Sequence, residues 1–346
     1  MNRTFDRTFH YFRAFAIFSV LGAHVWFSPE VEGLENERQV LECLRSVLFH
    51  SSTLYFIFIS GYLFDYIYQT REFRLRDFYL SKVKNVLCPY LVLSTILIAA
   101  SLLLCTLSVP VPAFINFGSA PAGSKEVALS YLLGTACVTY WYIPFIMLVY
   151  LVSPVLFRIR GQIFALLTLA AAFVPLFVPR DDLADFYRNF CFFYPTFLLG
   201  VFFSRHREAC VGFLKDHWKA LALIALGTSL ALCSEFYHQR LASVETAYYV
   251  QRLAIGGLVI TALESLSFES LFMDLMARYS FPLYFLHDMV SAATRDSLHA
   301  LFLRASPNGL VFTTMVTFAV EIALCMGLVW FIKRVTGGYS RRIIGG

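Results

Sequence analysis

Charged side chains are scarce in this sequence. Only 15% of the 346 residues are charged, whereas 58% are apolar and the mean hydropathy is +0.66. So few polar residues cannot cover a globule of this size, which excludes a soluble protein. The 36 Phe and 19 Tyr residues exclude a disordered chain, because so much apolar surface does not stay solvated. The composition is that of a membrane protein that crosses the bilayer many times.

Several familiar motifs are also missing. The eight cysteines include no C-x-x-C pair, and most fall in or beside apolar runs, where cysteine acts as a small apolar residue. The eight histidines show no H-x-x-x-H or H-E-x-x-H spacing, so we expect no metal. No internal repeat or soluble domain is visible, and we expect no nucleic-acid partner. We therefore treat residues 1–346 as one integral-membrane domain.

Ten apolar runs are long enough, or nearly so, to cross a bilayer core about 30 Å thick. They are continuous rather than alternating every second residue, which favours helices over a barrel. The predicted fold is an all-α polytopic bundle of about ten transmembrane helices. The predicted spans are 9–27, 44–64, 86–108, 140–157, 163–178, 190–203, 220–234, 248–263, 279–294 and 310–332.

Basic residues set the predicted orientation. If the N-terminus is cytoplasmic, the inside segments and the inner end of the first span, with Arg13, hold 19 of the 28 Lys and Arg residues, and most loop carboxylates lie outside. The positive-inside rule then places both termini in the cytoplasm. The basic start and short apolar core are also typical of a signal peptide, but no secreted domain follows, so we expect an uncleaved first helix.

Residues 109–139 fit no predicted span. They contain prolines and glycines, followed by an apolar stretch at 127–138 that is too short to cross the bilayer. We expect this segment to be re-entrant or interfacial.

Ionisable residues inside spans are costly, so they are the best pointers to function. Arg13 and His24 are eleven residues apart in the first span, which puts them about 20° from three full turns and roughly 16.5 Å apart along one face. His24 can take a proton from a hydroxyl or carry an acyl group, and Arg13 suits a phosphate or a polarised carbonyl. The alternative is that Arg13 snorkels to the headgroups and His24 only lies in the outer interface.

Further candidates have two readings each. Trp141 and Tyr142 can stack a sugar or an acyl chain, or serve as interface anchors. Ser60 can supply a hydroxyl, or with Gly61 allow close helix packing.

Three more ionisable residues are predicted near the middle of late spans: His287, Asp288 and Glu321. That depth indicates a buried polar network, which either is structural or lines a substrate path.

Four stretches resemble the integral-membrane acyltransferase-3 family. From Arg13 to His24 the spacing is that of the family's signature, a basic residue, ten residues, then His. LYFIFISGYL at 54–63 is similar to its aromatic-rich second helix, and YWYIPFIMLVYLVSP at 140–154 to its W-[FY]-[LI] helix. SFPLYFLH at 280–287 is similar to its late S-x-x-[IL]-Y-x-x-H motif. The order matches along nearly the whole chain.

The resemblance implies an O-acyltransferase, usually an O-acetyltransferase, of the bacterial inner membrane. Such enzymes move an acyl group from cytoplasmic acetyl-CoA to a hydroxyl of an extracytoplasmic glycan or lipid-linked sugar. By the resemblance, His24 is the catalytic histidine and Arg13 its partner. Trp141, Tyr142, His287 and Ser60 are then candidates for binding the acceptor.

One motif departs from the family. The family often has R-x-x-R before the third helix, but here Lys82 keeps the first charge and Asn85 replaces the second. We expect Lys82, Lys84 and Arg74, together with Arg13, to bind the CoA phosphates.

A transporter or flippase for a lipid-linked sugar or acyl compound is the other reading of these charges. Many transporters have internal repeats, and none relates the two halves of this chain.

Overall fold

The structure is a computed structural model that describes residues 6–70, 74–109, 111–112, 115, 123–159, 161–180, 186–239, 243–266, 268–305 and 309–345. Within these residues the chain is helical and contains no strand. The chain divides into two compact units. The first unit comprises Met1–Ala23, Gln39–Phe73 and Val155–Arg278, and the second comprises His24–Arg38, Arg74–Pro154 and Tyr279–Gly346.

Sixteen α-helices occur in the described residues. They are α1 (Arg7–Val25), α2 (Glu35–Phe49), α3 (Thr53–Thr70), α4 (Leu75–Lys82), α5 (Cys88–Thr106), α6 (Ser124–Leu133), α7 (Tyr142–Val152), α8 (Gly161–Ala172), α9 (Val174–Phe177), α10 (Phe186–Arg205), α11 (Arg207–Asp216), α12 (Trp218–His238), α13 (Val244–Ser265), α14 (Leu271–Ala305), α15 (Leu310–Thr336) and α16 (Ser340–Ile343). A π-helical turn at Val83–Leu87 joins α4 to α5, and a 3₁₀ segment at Ser153–Arg158 follows α7.

Each predicted span is mainly helical in the described residues, although some residues at span ends, such as 26–27, 107–108 and 140–141, are not helical. Two spans also contain a break between helices. Span 44–64 crosses a turn in which Ser51 has a φ of 57°, so α2 and α3 are separate helices. Span 163–178 is divided into α8 and α9, with Pro175 in the first turn of α9. Each of these two predicted spans therefore comprises two helices.

In the part of the chain that the structure describes, four helical stretches are long and apolar enough to cross a membrane by length and composition: Glu35–Gln69, Leu75–Thr106, Trp218–His238 and Leu310–Ile343. Shorter apolar stretches are Tyr142–Arg158 and Gly161–Phe177. The all-α membrane class is confirmed. The number of ten spans and the cytoplasmic position of both termini stay predictions.

In the first unit, α3 and α10 pack with their backbones in close approach. A Cβ atom at Gly61 would overlap the carbonyl oxygen of Phe197, and one at Gly200 would overlap that of Phe58. Only glycine fits at such a crossing, as in small-residue contacts between membrane helices. The packing reading of Gly61 is therefore confirmed.

Arg252 holds the turn between α2 and α3. Its Nε donates to the carbonyl of His50 (2.7 Å) and its Nη2 to that of Val47 (2.8 Å). The His50 ring lies 2.8 Å from Glu245 at the start of α13. Burial raises the pKa of Glu245, but the hydrogen bond with His50 and the charge of Arg180 outweigh it, so the pKa lies below its usual value. The carboxylate therefore remains ionised at neutral pH.

Candidate functional site

The second unit brings His24 together with two residues of α14. One donor atom from each of His24, His287 and Asp288 lies within 4.8 Å of the others, and the two imidazole rings are 5.4 Å apart. His24 is in the last turn of α1. His287 and Asp288 follow Pro282, which interrupts the hydrogen bonding of α14 one turn earlier.

His287 is completely buried, and its two ring nitrogens differ. Nδ1 lies 3.1 Å from the carbonyl oxygen of Leu283. Because a carbonyl oxygen only accepts, Nδ1 carries the proton. Nε2 has no hydrogen-bond partner in the described residues and lies 3.5 Å from Asp288 Oδ1. A neutral His287 thus presents an unused acceptor, and a protonated one forms an ion pair with Asp288.

Asp288 is held by the segment between α6 and α7. Thr139 Oγ1 donates to its Oδ2 (2.7 Å), and Cys137 Sγ lies 3.4 Å from the same oxygen. The carbonyl of Thr139 in turn accepts a hydrogen bond from the Tyr284 hydroxyl. This segment begins at Gly134, whose φ of 72° suits glycine. No sequence motif indicated a role for Thr139 or Cys137.

The same segment belongs to the stretch 109–139 that we expected to be re-entrant or interfacial. Its described part contains the ten-residue helix α6, which ends at a left-handed Gly134. Residues 110, 113–114 and 116–122 lie outside the described residues. The re-entrant reading stays a prediction.

Aromatic side chains enclose this part of α14. The Tyr140 hydroxyl donates to the carbonyl of Phe285 (3.0 Å), and the ring of Tyr142 lies 5.6 Å from that of Tyr284. Tyr142 is buried, whereas Trp141 is half-buried against Phe145. Tyr142 therefore packs in the wall around His287 rather than standing alone at a helix end.

Glu321 adds a second buried carboxyl group in the second unit. It is fully buried in α15, and neither of its oxygens has a hydrogen-bond partner within the described part of the chain. Its charge and that of Asp288 both act on Cys325. An ionised carboxylate without partners is costly in such surroundings. Whether Glu321 is structural or lines a substrate path stays a prediction.

Basic residues gather around the π-helical turn. Lys82 ends α4 with its Nζ 4.3 Å from the ring centre of Tyr150, and Lys84 is exposed. The short helix α16 packs on this turn and on α5, and it carries the exposed Arg341 and Arg342. Arg74, also exposed, precedes α4. The helix α16 could not be predicted from the sequence, because it is only four residues long and follows two glycines, so it shows no helical periodicity.

Arg13 and Ser60 lie in the first unit. Arg13 is half-buried on α1, and its charge acts on His10, whose ring lies 3.2 Å from Asp274. Ser60 is half-buried on α3, beside Gly61. Since α1 is one unbroken helix from Arg7 to Val25, the predicted helical spacing between Arg13 and His24 is preserved.

The donor atoms of His24, His287 and Asp288 are also of the type that binds transition metals. These residues are far apart in sequence, so a search for short histidine motifs could not detect the group. The absence of a metal stays a prediction.

Comparison with known families gives one result. The family model described as an acyltransferase domain matches residues 6–331. No curated protein and no solved structure matches this chain.

Proposed function

Because the chain belongs to the integral-membrane acyltransferase-3 family, and is thus an acyltransferase, we propose that it is a membrane O-acetyltransferase. The donor is acetyl-CoA from the cytoplasm. The acceptor is a hydroxyl of an extracytoplasmic glycan or lipid-linked sugar, and the membrane is the bacterial inner membrane. The observation that carries the proposal is the position of His24 beside His287 and Asp288.

His24 is the catalytic base in this proposal. It takes the proton of the acceptor hydroxyl as the oxygen attacks the thioester carbon, the new C–O bond forms, the C–S bond breaks, and CoA leaves as a thiolate that is then protonated. The charge of Asp288 acts on His24 and on His287, so it stabilises an imidazolium as it forms.

A second route uses the same residue as a nucleophile. The His24 imidazole accepts the acetyl group from the thioester, releases CoA, and then passes the group to the acceptor hydroxyl. Labelled acetyl-CoA without acceptor distinguishes the two routes: label retained on the protein supports the acyl-histidine, and its absence supports direct transfer.

The basic residues around the π-helical turn are assigned to the donor. Lys82, Lys84 and Arg74 bind the CoA phosphates, and Arg341 and Arg342 of α16 join them because α16 packs on that turn. Guanidinium and ammonium groups are the usual phosphate ligands of proteins. The assignment of Arg13 to the donor and to catalysis rests on the resemblance of its spacing to the family signature.

Trp141, Tyr142 and His287 are assigned to the acceptor, with Ser60 as a further candidate. Aromatic faces suit the apolar face of a sugar, and the buried Tyr142 ring lies in the wall around His287. These side chains would contact the acceptor, which is a cell-surface glycan or a glycolipid.

The test is a transfer assay with membranes that contain the protein. Given labelled acetyl-CoA and extracted glycan, these membranes should release CoA and transfer the label to the glycan. Membranes without the protein should do neither. A transporter or flippase would move a lipid-linked sugar without releasing CoA, and that result would overturn the proposal. We also expect a chelator to leave the transfer rate unchanged.

A further inference from the structure

Two cysteines that are distant in sequence meet in the first unit. Cys43 of α2 and Cys233 of α12 are 190 residues apart, yet their sulfur atoms are 3.6 Å from each other. Both belong to an apolar cluster with Val47, Leu232 and Tyr248. No sequence spacing indicated this pair, because a disulfide needs only spatial proximity.

We propose that Cys43 and Cys233 form a structural disulfide bond. A disulfide has an S–S distance of about 2.05 Å, so the sulfur atoms must approach by about 1.5 Å. The two sulfur atoms are already in contact at 3.6 Å, and rotation about the Cα–Cβ bonds is the movement that brings them to bonding distance. The bond would link the middle of α2 to α12.

The compartment favours oxidation. The predicted orientation places the loop before α2 and the loop between α12 and α13 outside the cytoplasm. Cys43 lies directly before the outer end of the predicted span 44–64, and Cys233 lies five residues before the end of α12. Disulfides form and persist in such oxidising compartments. The inference rests on this orientation and not on acyl transfer.

The reaction needs an oxidant, which is a protein disulfide of the extracytoplasmic compartment. Cys233 is half-buried and Cys43 is buried, so the Cys233 thiolate attacks first and forms a mixed disulfide. The Cys43 thiolate then attacks the Cys233 sulfur and expels the carrier's second thiol. Two thiols are oxidised, one carrier disulfide is reduced to two thiols, and both protons end on the carrier.

Thiol counting in the full-length protein tests the bond. Cells are lysed in denaturant with N-ethylmaleimide to block free thiols, and the protein is then reduced and treated with a maleimide polymer that adds mass for each new thiol. We expect the wild type to gain two adducts after reduction. Cys43→Ser and Cys233→Ser should each gain none, whereas Cys210→Ser, on α11, should still gain two.

A second measurement does not depend on variants. Digestion of the wild-type protein without reductant should yield one peptide pair, joined through Cys43 and Cys233, that separates on reduction. A wild type that gains no adduct, or two adducts that persist in Cys43→Ser, would overturn the inference. Neither result would affect the proposed acyl transfer, which its own assay measures.

Discussion

Asp288 occupies a position in which one carboxylate is held by two hydrogen-bonding groups and faces two imidazoles. Thr139 fixes its Oδ2, which leaves Oδ1 toward His287. Asp288→Asn keeps the size and the bond from Thr139 but removes the charge that stabilises an imidazolium. We expect the transfer rate at saturating substrate to fall about 10²- to 10⁴-fold, with little change in KM for acetyl-CoA.

The matched control is Asp296→Asn on the same helix. The Asp296 side chain is 95% exposed, and its charge lies beside Arg295. Its rate should stay within about twofold of wild type, since exposed ion pairs contribute little. Equal losses in the two variants would contradict a specific role for Asp288 and indicate general damage to α14.

Some residues of the site could be predicted from the sequence, and others could not. His24 and His287 could be predicted because ionisable groups in apolar runs are costly. Thr139 could not, because a threonine near a helix end is ordinary and its partner Asp288 is 149 residues away. Contacts of this kind depend on how the segment between α6 and α7 packs on α14, which hydropathy does not encode.

At the scale of elements, the π-helical turn and α16 form one basic surface in the second unit. Replacing Lys82 and Lys84 together by alanine removes the two side chains that we propose bind the CoA phosphates, and such binding acts equally in the ground state and the transition state. We expect KM for acetyl-CoA to rise about 10-fold, with a smaller change in kcat. Adding Arg341→Ala should raise KM further.

Steady-state kinetics with varied acetyl-CoA measure this effect. Arg304→Ala, on an exposed residue at the far end of α14, removes a positive charge elsewhere and should leave KM unchanged. If the lysine variant kept a normal donor KM, these residues would not belong to the donor site.

The crossing of α3 and α10 gives a prediction about stability. Gly61→Ala places a Cβ against the backbone of Phe197, which cannot move aside as a flexible side chain would. We expect a loss of about 1–3 kcal/mol in unfolding free energy, as for other overpacked cores. Thermal denaturation in detergent measures it. Gly227→Ala on α12, which meets no atom within 4 Å, should be neutral or slightly stabilising.

Element boundaries show where the sequence was and was not informative. Hydropathy located the long apolar helices, because a helix that crosses the bilayer needs an apolar run. It joined α2 to α3, because an averaging window cannot detect a single left-handed residue such as Ser51. It also ended span 279–294 early, since α14 continues to Ala305 through a polar segment that carries Arg295 and Asp296.

For the whole molecule, the distribution of basic residues predicts the topology. A cysteine introduced for Glu35 should react with a membrane-impermeant maleimide added to intact cells, whereas one for Arg207 should react only after the membrane is opened. A cysteine introduced for Asp182, which is predicted outside and lies beyond the described residues, should react in intact cells like the one for Glu35. The opposite labelling pattern would contradict the orientation and, with it, a cytoplasmic donor site.

The account as a whole depends on His24. The most direct measurement is the rate of acetyl transfer from labelled acetyl-CoA to glycan by His24→Ala, compared at equal membrane content with His206→Ala, which lies between α10 and α11. We predict that His24→Ala inserts normally and loses transfer by at least about 10²-fold, while His206→Ala stays close to wild type. Near-normal transfer by a properly inserted His24→Ala protein would contradict the account.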